Sequence, residues 1–142
     1  MTEPLTDALT ALCDEHALTA LYVFGSRAAE VAAHVAGEAG PAEHPGSDID
    51  IGALPSRAGR LSAKARVRLA QQLESMLGGD RVDLVVLPEA EAFLAADIVR
   101  GELLAATDLD AEAEAQLYYL RRAADLAPYL REQWRDKVGT EL

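Results

Sequence analysis

Residues 46–52 read Gly-Ser-Asp-Ile-Asp-Ile-Gly and place two carboxylates in a segment that otherwise has the composition of a buried strand. Side chains along a strand alternate between its two faces, so Asp48 and Asp50 point one way and the two isoleucines point the other. Two carboxylates on one face repel each other, and each raises the pKa of its neighbour unless positive charge lies between them. This face is therefore either exposed to water or holds a cation.

The composition is that of a globular protein with a strong acidic excess. Half of the 142 residues are hydrophobic, 26% are charged, and the formal net charge is −11 at pH 7. This length predicts a single domain over residues 1–142, with 109–142 as a helical tail. The negative charge argues against nonspecific binding to duplex DNA or to an anionic membrane, because both require a basic surface.

The N-terminal residues and the cysteine content predict a cytoplasmic location. The segment MTEPLTDALT lacks the basic start and the apolar centre of a signal peptide. No apolar run approaches the roughly 20 residues that a bilayer-spanning helix needs. A single cysteine, Cys13, cannot form an internal disulfide, which is consistent with a reducing compartment.

Apolar periodicity and turn residues predict helices that alternate with strands. Ser26 is expected to be the N-cap of a helix, residues 37–47 to form a loop, and Pro128 to mark a kink or the first turn of a separate helix. The alternation predicts an α/β fold, a sheet with helices packed on it. Strands are predicted at 18–24, 48–54, 82–87 and, more weakly, 102–106, and helices at 6–16, from 26 to about 36, 62–77, 89–100 and from 110 onward.

Three short motifs carry the chemistry. Gly25-Ser26 lies at a strand-to-helix turn, Asp48-x-Asp50 on a second strand, and Asp83 on a third. The N–H groups at a helix start bind phosphate, and a preceding glycine lets the backbone approach the ligand closely. Three carboxylates can hold two Mg²⁺ ions that leave positions open for substrate phosphates. This combination suits phosphoryl or nucleotidyl transfer from a nucleoside triphosphate.

The same motifs resemble those of the DNA polymerase β-like nucleotidyltransferase superfamily. They resemble more closely the minimal nucleotidyltransferase (MNT) antitoxins that partner HEPN toxins in bacteria and archaea. The resemblance implies a polymerase β-like fold with a small mixed sheet, flanking helices and a helical C-terminal tail. It is carried by FGSRA at 24–28, SDIDI at 47–51, VDLVVL at 82–87 and QLYYLRRAADLAPYLREQ at 116–133.

The resemblance also implies an activity and a partner. Members of this kind that act as enzymes transfer AMP from ATP to a tyrosine of the HEPN toxin and silence its ribonuclease activity. It implies two Mg²⁺ ions, ATP as the substrate and a hetero-oligomer with the toxin. Direct binding of nucleic acid is not expected, because the chain is strongly acidic. The implied catalytic and metal-binding residues are Asp48, Asp50 and Asp83, with Asp83 also the base toward the acceptor hydroxyl; the implied nucleotide-binding residues are Gly25, Ser26 and Arg27.

This chain departs from the family pattern between the serine and the first aspartate. Residues 27–47, twenty-one in all, form a longer connection than the commonest pattern has. Many relatives continue Arg-Ala with Arg-Gly, whereas Ala29-Glu30 follow here.

Two alternatives therefore stay open: an antitoxin that neutralises the toxin by binding alone, and a small-molecule nucleotidyltransferase of the aminoglycoside type. The second alternative is less favoured, because such enzymes usually carry a further substrate-binding domain. Toxin contact is expected at Tyr119, Arg122 and Trp134.

Overall fold

A computed structural model describes residues 4–40, 47–57 and 59–139, except for the side chains of 135–139. The four predicted strands are all present, each within one residue of its predicted bounds. In chain order the elements are α1 (Thr6–Glu15), β1 (Leu18–Phe24), α2 (Ala28–Val35), β2 (Ile49–Pro55), α3 (Ala63–Met76), β3 (Val82–Val86), a 3-10 turn (Leu87–Glu89), α4 (Ala92–Val99), β4 (Glu102–Ala106) and α5 (Leu109–Gly139).

The strands form one mixed sheet in the order β3-β2-β1-β4. The central strand β1 is antiparallel to both of its neighbours, whereas β2 and β3 run parallel. Six of the seven residues of β1 are buried. A strand covered by helices on both faces has no solvent-facing side, and this explains why LTALYVF shows no alternation of apolar and polar residues.

Two apolar clusters hold the helices against opposite faces of the sheet. Leu21, Val23 and Ile51 face α1, α2 and α3. Tyr22 faces the other way and packs with Ile98 of α4 and with α5. Since neighbouring positions on one strand belong to different clusters, a register slip of one residue would exchange the two cores. The burial pattern therefore fixes which strand residues lie side by side.

A buried carboxylate fastens α5 to the sheet. Glu112 is 5% exposed, and its Oε1 accepts hydrogen bonds from the Tyr22 hydroxyl at 2.7 Å and from Gln116 Nε2 at 2.6 Å. Burial and this neighbouring carboxylate together raise the pKa of Tyr22 well above its ordinary range, so the hydroxyl keeps its proton and stays a donor. The start of the helical tail is thus attached to the central strand.

Two predictions about helix ends are corrected. Pro128 does not begin a separate helix, because it lies inside α5, which continues as one helix to Gly139. A proline removes one helical hydrogen bond, but the alanine, leucine and arginine residues around it are strong helix formers. Ser26 does not cap α2, because it lies in a turn closed by the Ala28 N–H donating to the Gly25 carbonyl at 3.2 Å, and α2 begins only at Ala28.

Other boundaries follow from local contacts. The helix predicted to begin at residue 89 begins at Ala92, because residues 87–89 form the 3-10 turn and the Glu91 side chain accepts from the N–H groups of Phe93 and Leu94. The loop predicted at 37–47 is described at its two ends only, since 41–46 lie outside the described residues. None of the described helices combines the length and the apolar character needed to cross a membrane.

Candidate functional site

Strand register brings the predicted motifs together at one end of the sheet. Phe24 pairs with Asp50 across the antiparallel β1–β2 pair, and Asp50 pairs with Asp83 across the parallel β2–β3 pair. Adjacent strands lie about 4.7–4.9 Å apart, so these three residues form one row. Gly25 and Ser26 follow Phe24 directly. The turn and the carboxylates are therefore immediate neighbours, as the sequence predicted.

Gly25 lies against the Asp50 carboxylate. Its φ is +81°, in the left-handed region, and a Cβ built on it would lie 2.6 Å from Asp50 Oδ2. Only a residue without a side chain permits both this backbone conformation and this approach. Gly25 and Ser26 are themselves exposed, so the turn is open to a ligand.

The three aspartates interact electrostatically. The pKa of Asp50 is raised above the ordinary aspartate value of 3.8 by partial burial first, then by the charge of Asp83 and then by that of Asp48. A carboxylate in this position is costly to ionise unless a cation compensates the charge. A cation-binding site would show this raised carboxylate pKa and this turn geometry before a cation binds to it.

Asp48 and Asp83 are the accessible members of the group. Asp83 is exposed on β3, at the edge of the sheet, where a large acceptor can approach. The Asp48 side chain is half exposed, and its Oδ2 lies 3.9 Å from Nε of the largely exposed Arg81. Such an exposed ion pair stabilises by roughly 0–1 kcal/mol, so it does not hold Asp48 in one position.

The residues fit Mg²⁺ in the chemistry of their ligand atoms, although they do not form a closed cage. Among residues 4–40, 47–57 and 59–139, no three carboxylate, imidazole or thiol groups are gathered closely enough to enclose a metal ion. Mg²⁺ prefers oxygen ligands and usually keeps several waters and substrate oxygens, so it does not need an all-protein cage. Asp50 and Asp83 provide neighbouring carboxylates on adjacent strands, and Asp48 precedes Asp50 by two residues.

The Arg27 side chain is held by protein groups, unlike a side chain that is free to contact phosphate. Its side chain is buried, and its guanidinium meets three protein acceptors. Nε lies 2.5 Å from Glu30 Oε1, Nη1 donates to the Ser47 carbonyl at 2.8 Å, and Nη2 lies 2.9 Å from Asp80 Oδ2. The assignment of Arg27 to nucleotide binding stays a prediction.

Sequence reasoning missed Asp80 and Arg81 at the edge of this site. Both immediately precede β3, and parallel strands start at the same end of a sheet, so residues before β3 lie near residues before β2. A charged pair before an apolar strand was the available signal. It could not show that Asp80 faces Arg27 while Arg81 faces Asp48.

One of the three expected toxin contacts is wrong. Tyr119 is only 6% exposed and packs against the sheet with Tyr22 and Ile98. Trp134 is 69% exposed and Arg122 is exposed, so both are accessible to a partner. Helical spacing alone could not assign the side of α5 that faces the sheet, because apolar residues occur on more than one side of this helix.

Comparison with known proteins agrees with this arrangement. Residues 8–110 match the family described as polymerase beta, nucleotidyltransferase, and the matched region contains the turn and all three aspartates. The chain belongs to the polymerase beta nucleotidyltransferase family. The mixed sheet with flanking helices and a long C-terminal helix is the fold of these nucleotidyltransferases. A search of curated proteins found no match.

Solved structures similar to this nucleotidyltransferase come from toxin–antitoxin complexes. A toxin–antitoxin structure with AMP-PNP is 29% identical, with a TM-score of 0.66 and coverage of 94% of this chain and 97% of that one. The toxin–antitoxin MntA–HepT is 28% identical, with a TM-score of 0.61 and coverage of 94% and 95%. A tri-AMPylated HEPN toxin from Shewanella oneidensis in complex with an MNT antitoxin is also 28% identical, with a TM-score of 0.61 and coverage of 94% of each chain. The chain is thus a homologue of MNT antitoxins.

Replacing Asp50 by Asn should raise the free energy of unfolding of this protein near neutral pH, in the presence of a chelator. Because the folded-state pKa of Asp50 lies above its ordinary value, wild-type stability is lost as the pH rises through that pKa. The gain from the Asn variant should be largest at neutral pH and should disappear below about pH 3, where aspartates are protonated in both states. Urea unfolding at several pH values measures it.

The matched control for this test is Asp14→Asn, which removes an exposed carboxylate from α1 on the other face of the sheet. It should change stability by less than about 0.5 kcal/mol. An Asp50→Asn variant that is less stable than the wild type at neutral pH would show that Asp50 is not under electrostatic strain.

A pair of glycine variants separates backbone strain from damage to the site. Gly25→Ala and Gly79→Ala each place a side chain at positive φ, +81° and +97°, and each should lower stability by roughly 1–2 kcal/mol. A Cβ at Gly79 meets nothing within 4 Å, whereas at Gly25 it would displace the Asp50 carboxylate. Only Gly25→Ala should therefore weaken Mn²⁺ binding, measured by calorimetric titration. Equal Mn²⁺ affinities in the two folded variants would contradict the placement of the cation beside Asp50.

Proposed function

We propose that this chain is an antitoxin that uses ATP and Mg²⁺ to transfer AMP to a tyrosine of a partner HEPN ribonuclease toxin and thereby inactivates it. The observation that carries the proposal is the contact of the exposed Gly25–Ser26 turn with Asp50, whose pKa is raised first by partial burial and then by the charges of Asp83 and Asp48. A phosphate-binding turn joined to a charge-strained carboxylate cluster is the chemistry that nucleotidyl transfer requires.

The roles of the residues follow from their positions. The backbone of Gly25 and Ser26 receives the triphosphate, since the turn is exposed and the glycine permits close approach. Asp48, Asp50 and Asp83 hold Mg²⁺, which supplies positive charge to the attacking and leaving oxygens when bound. Asp83, at the exposed sheet edge, is also the carboxylate that an acceptor hydroxyl can reach as a base.

The proposed transfer is a single displacement at the α-phosphorus of ATP. The tyrosine oxygen forms a bond to the α-phosphorus of ATP, and the bond from that phosphorus to the bridging oxygen of the β-phosphate breaks. Pyrophosphate leaves, and the tyrosine proton passes to the Asp83 carboxylate. The relative whose HEPN toxin is tri-AMPylated supports this type of product, and the relative with AMP-PNP supports a nucleotide with an adenine base.

The second half of α5 is the surface we assign to the toxin. Leu126, Tyr129, Leu130 and Trp134 are all exposed, at spacings that place them along one stripe of the helix. Exposed apolar stripes of this kind are typical of protein–protein contact. We further propose that residues 1–142 form one domain, because Glu112 joins the start of this helix to the central strand.

A second candidate is an antitoxin that neutralises the toxin by binding alone. It is favoured by the two arginines near the site. The Arg27 guanidinium is already bound to protein acceptors, and Arg81 lies beside Asp48. The exposed stripe of α5 serves this alternative equally well. The two candidates differ in whether the toxin gains mass.

Wild-type protein should add one or more AMP groups to a partner HEPN toxin in the presence of ATP and Mg²⁺. The double variant Asp48→Asn/Asp50→Asn should lose this transfer by at least about 100-fold, because the carboxylates that compensate the metal charge are gone. It should still co-purify with the toxin, since the α5 stripe is untouched. Intact-mass spectrometry of the toxin measures the transfer.

The double variant Asp7→Asn/Asp14→Asn is the matched control, because it removes the same charge from the exposed side of α1. It should transfer AMP as the wild type does. If the wild type leaves the mass of the toxin unchanged but suppresses its ribonuclease activity, binding alone is the function. If it neither binds nor modifies the toxin, both candidates fail.

A further inference from the structure

We propose that Arg27 is the positioning residue of this site: its buried guanidinium fastens the Gly25–Ser26 turn to the two segments that carry the aspartates. This inference rests on the proposed function only in that those aspartates bind a divalent cation. It assigns to Arg27 a task other than contact with the nucleotide.

The three acceptors of Arg27 belong to three separate parts of the chain. Glu30 lies in the first turn of α2, Ser47 directly precedes Asp48, and Asp80 lies three residues before Asp83. The guanidinium thus connects α2, the entry into β2 and the entry into β3. Ser47 is one residue from Asp48 and Asp80 is three from Asp83, so each span is at most about 10 Å of extended chain. Because these spans are short, a displacement of the Arg27 contacts would also displace the site residues.

Burial makes this clamp specific. The side chain of Arg27 is 8% exposed, whereas those of Glu30 and Asp80 are 43% and 23% exposed. A charge removed from water in this way is tolerated only when its donors are satisfied by good acceptors. The planar guanidinium presents donors in fixed directions, so it can hold three acceptors at once. A lysine ammonium is a compact charge on a flexible stem and cannot span the same three points.

The long connection between the Gly25–Ser26 turn and β2, which includes α2, explains why such a clamp is useful here. Twenty-one residues separate Ser26 from Asp48, so the backbone route from the turn to β2 is long. The bond from Arg27 to the Ser47 carbonyl bypasses this route, because it joins the two ends of the connection at a distance of 2.8 Å. The turn and Asp48 are thereby positioned by a side-chain contact rather than by the length of the connection.

Positioning and simple charge effects predict opposite results when the cation at Arg27 is removed. Loss of a positive charge near three carboxylates should strengthen the binding of a divalent cation by Coulomb attraction alone. Loss of a positioning contact should weaken it, as removal of the partners of metal ligands does by roughly 10–100-fold. A residue that contacts only the nucleotide phosphates would leave cation binding unchanged when no nucleotide is present.

The test is the Mn²⁺ affinity of the full chain without nucleotide, measured by calorimetric titration and electron paramagnetic resonance. Arg27→Met should weaken binding at least about tenfold. Arg27→Lys keeps the charge and is the milder change, and it should also weaken binding, which keeps the test valid if the Met variant does not fold. Arg68→Met is the matched control, because Arg68 is an exposed residue of α3 paired with Glu15, and its loss should leave the affinity unchanged.

Asp80→Asn tests the contact itself. If Arg27 acts through Asp80, the double variant Arg27→Met/Asp80→Asn should bind Mn²⁺ no more weakly than the weaker of the two single variants. Folded Arg27→Met and Arg27→Lys proteins that bind Mn²⁺ as tightly as the wild type, or more tightly, would overturn the proposal. Wild-type protein that binds Mn²⁺ but never modifies a toxin would refute the proposed enzyme and leave the positioning role standing.

Discussion

Like-charge repulsion between carboxylates that backbone pairing holds side by side is the constraint on which this site depends. Asp50 cannot move away from Asp83, because the two residues are partners in the parallel β2–β3 ladder. It cannot turn freely toward β1 either, since Gly25 lies against its carboxylate. A folded chain that keeps such a cluster carries an energetic cost, and a bound cation is the simplest means of relieving it.

The apolar cores maintain this arrangement against the repulsion. Leu21 and Val23 face one group of helices while Tyr22 faces the other, so sliding β1 by one residue would bury the wrong side chains on both faces. Two buried polar side chains then attach segments that lie outside the apolar cores. Arg27 joins the segments around the site, and Glu112 joins the long helix to the central strand.

Much of this architecture could be predicted from the sequence, because it depends on local pattern. The strands at 18–24 and 102–106 have the predicted bounds, and the row formed by Asp50 and Asp83 follows from their positions at the start of neighbouring strands. What the sequence could not provide were the side-chain partners that come together only in the folded chain. Nothing in the linear order shows that Arg27 meets Asp80, 53 positions later.

Each wrong prediction has a physical origin. Serine is a favoured N-cap residue, yet Ser26 lies in the turn that starts at Gly25, before the helix begins. Tyr119 was expected on the surface with Trp134, but packing of α5 against α4 and the sheet buries it. A separate helix starting at Pro128 was one expectation, but the strong helix formers on either side continue α5 through this residue. For Ser26 and Tyr119 a contact in the folded chain outweighed the local preference, and for Pro128 the propensity of its neighbours did.

The central claim is that Asp50 and Asp83, beside the Gly25–Ser26 turn, hold a divalent cation together with a nucleotide. Anomalous diffraction from crystals of this chain grown with Mn²⁺ and AMP-PNP tests it most directly. We expect an anomalous peak about 2.0–2.2 Å from carboxylate oxygens of both aspartates, with the phosphates of the analogue at the turn. Phosphates bound at another surface, or a peak at other carboxylates with none beside Asp50, would contradict it.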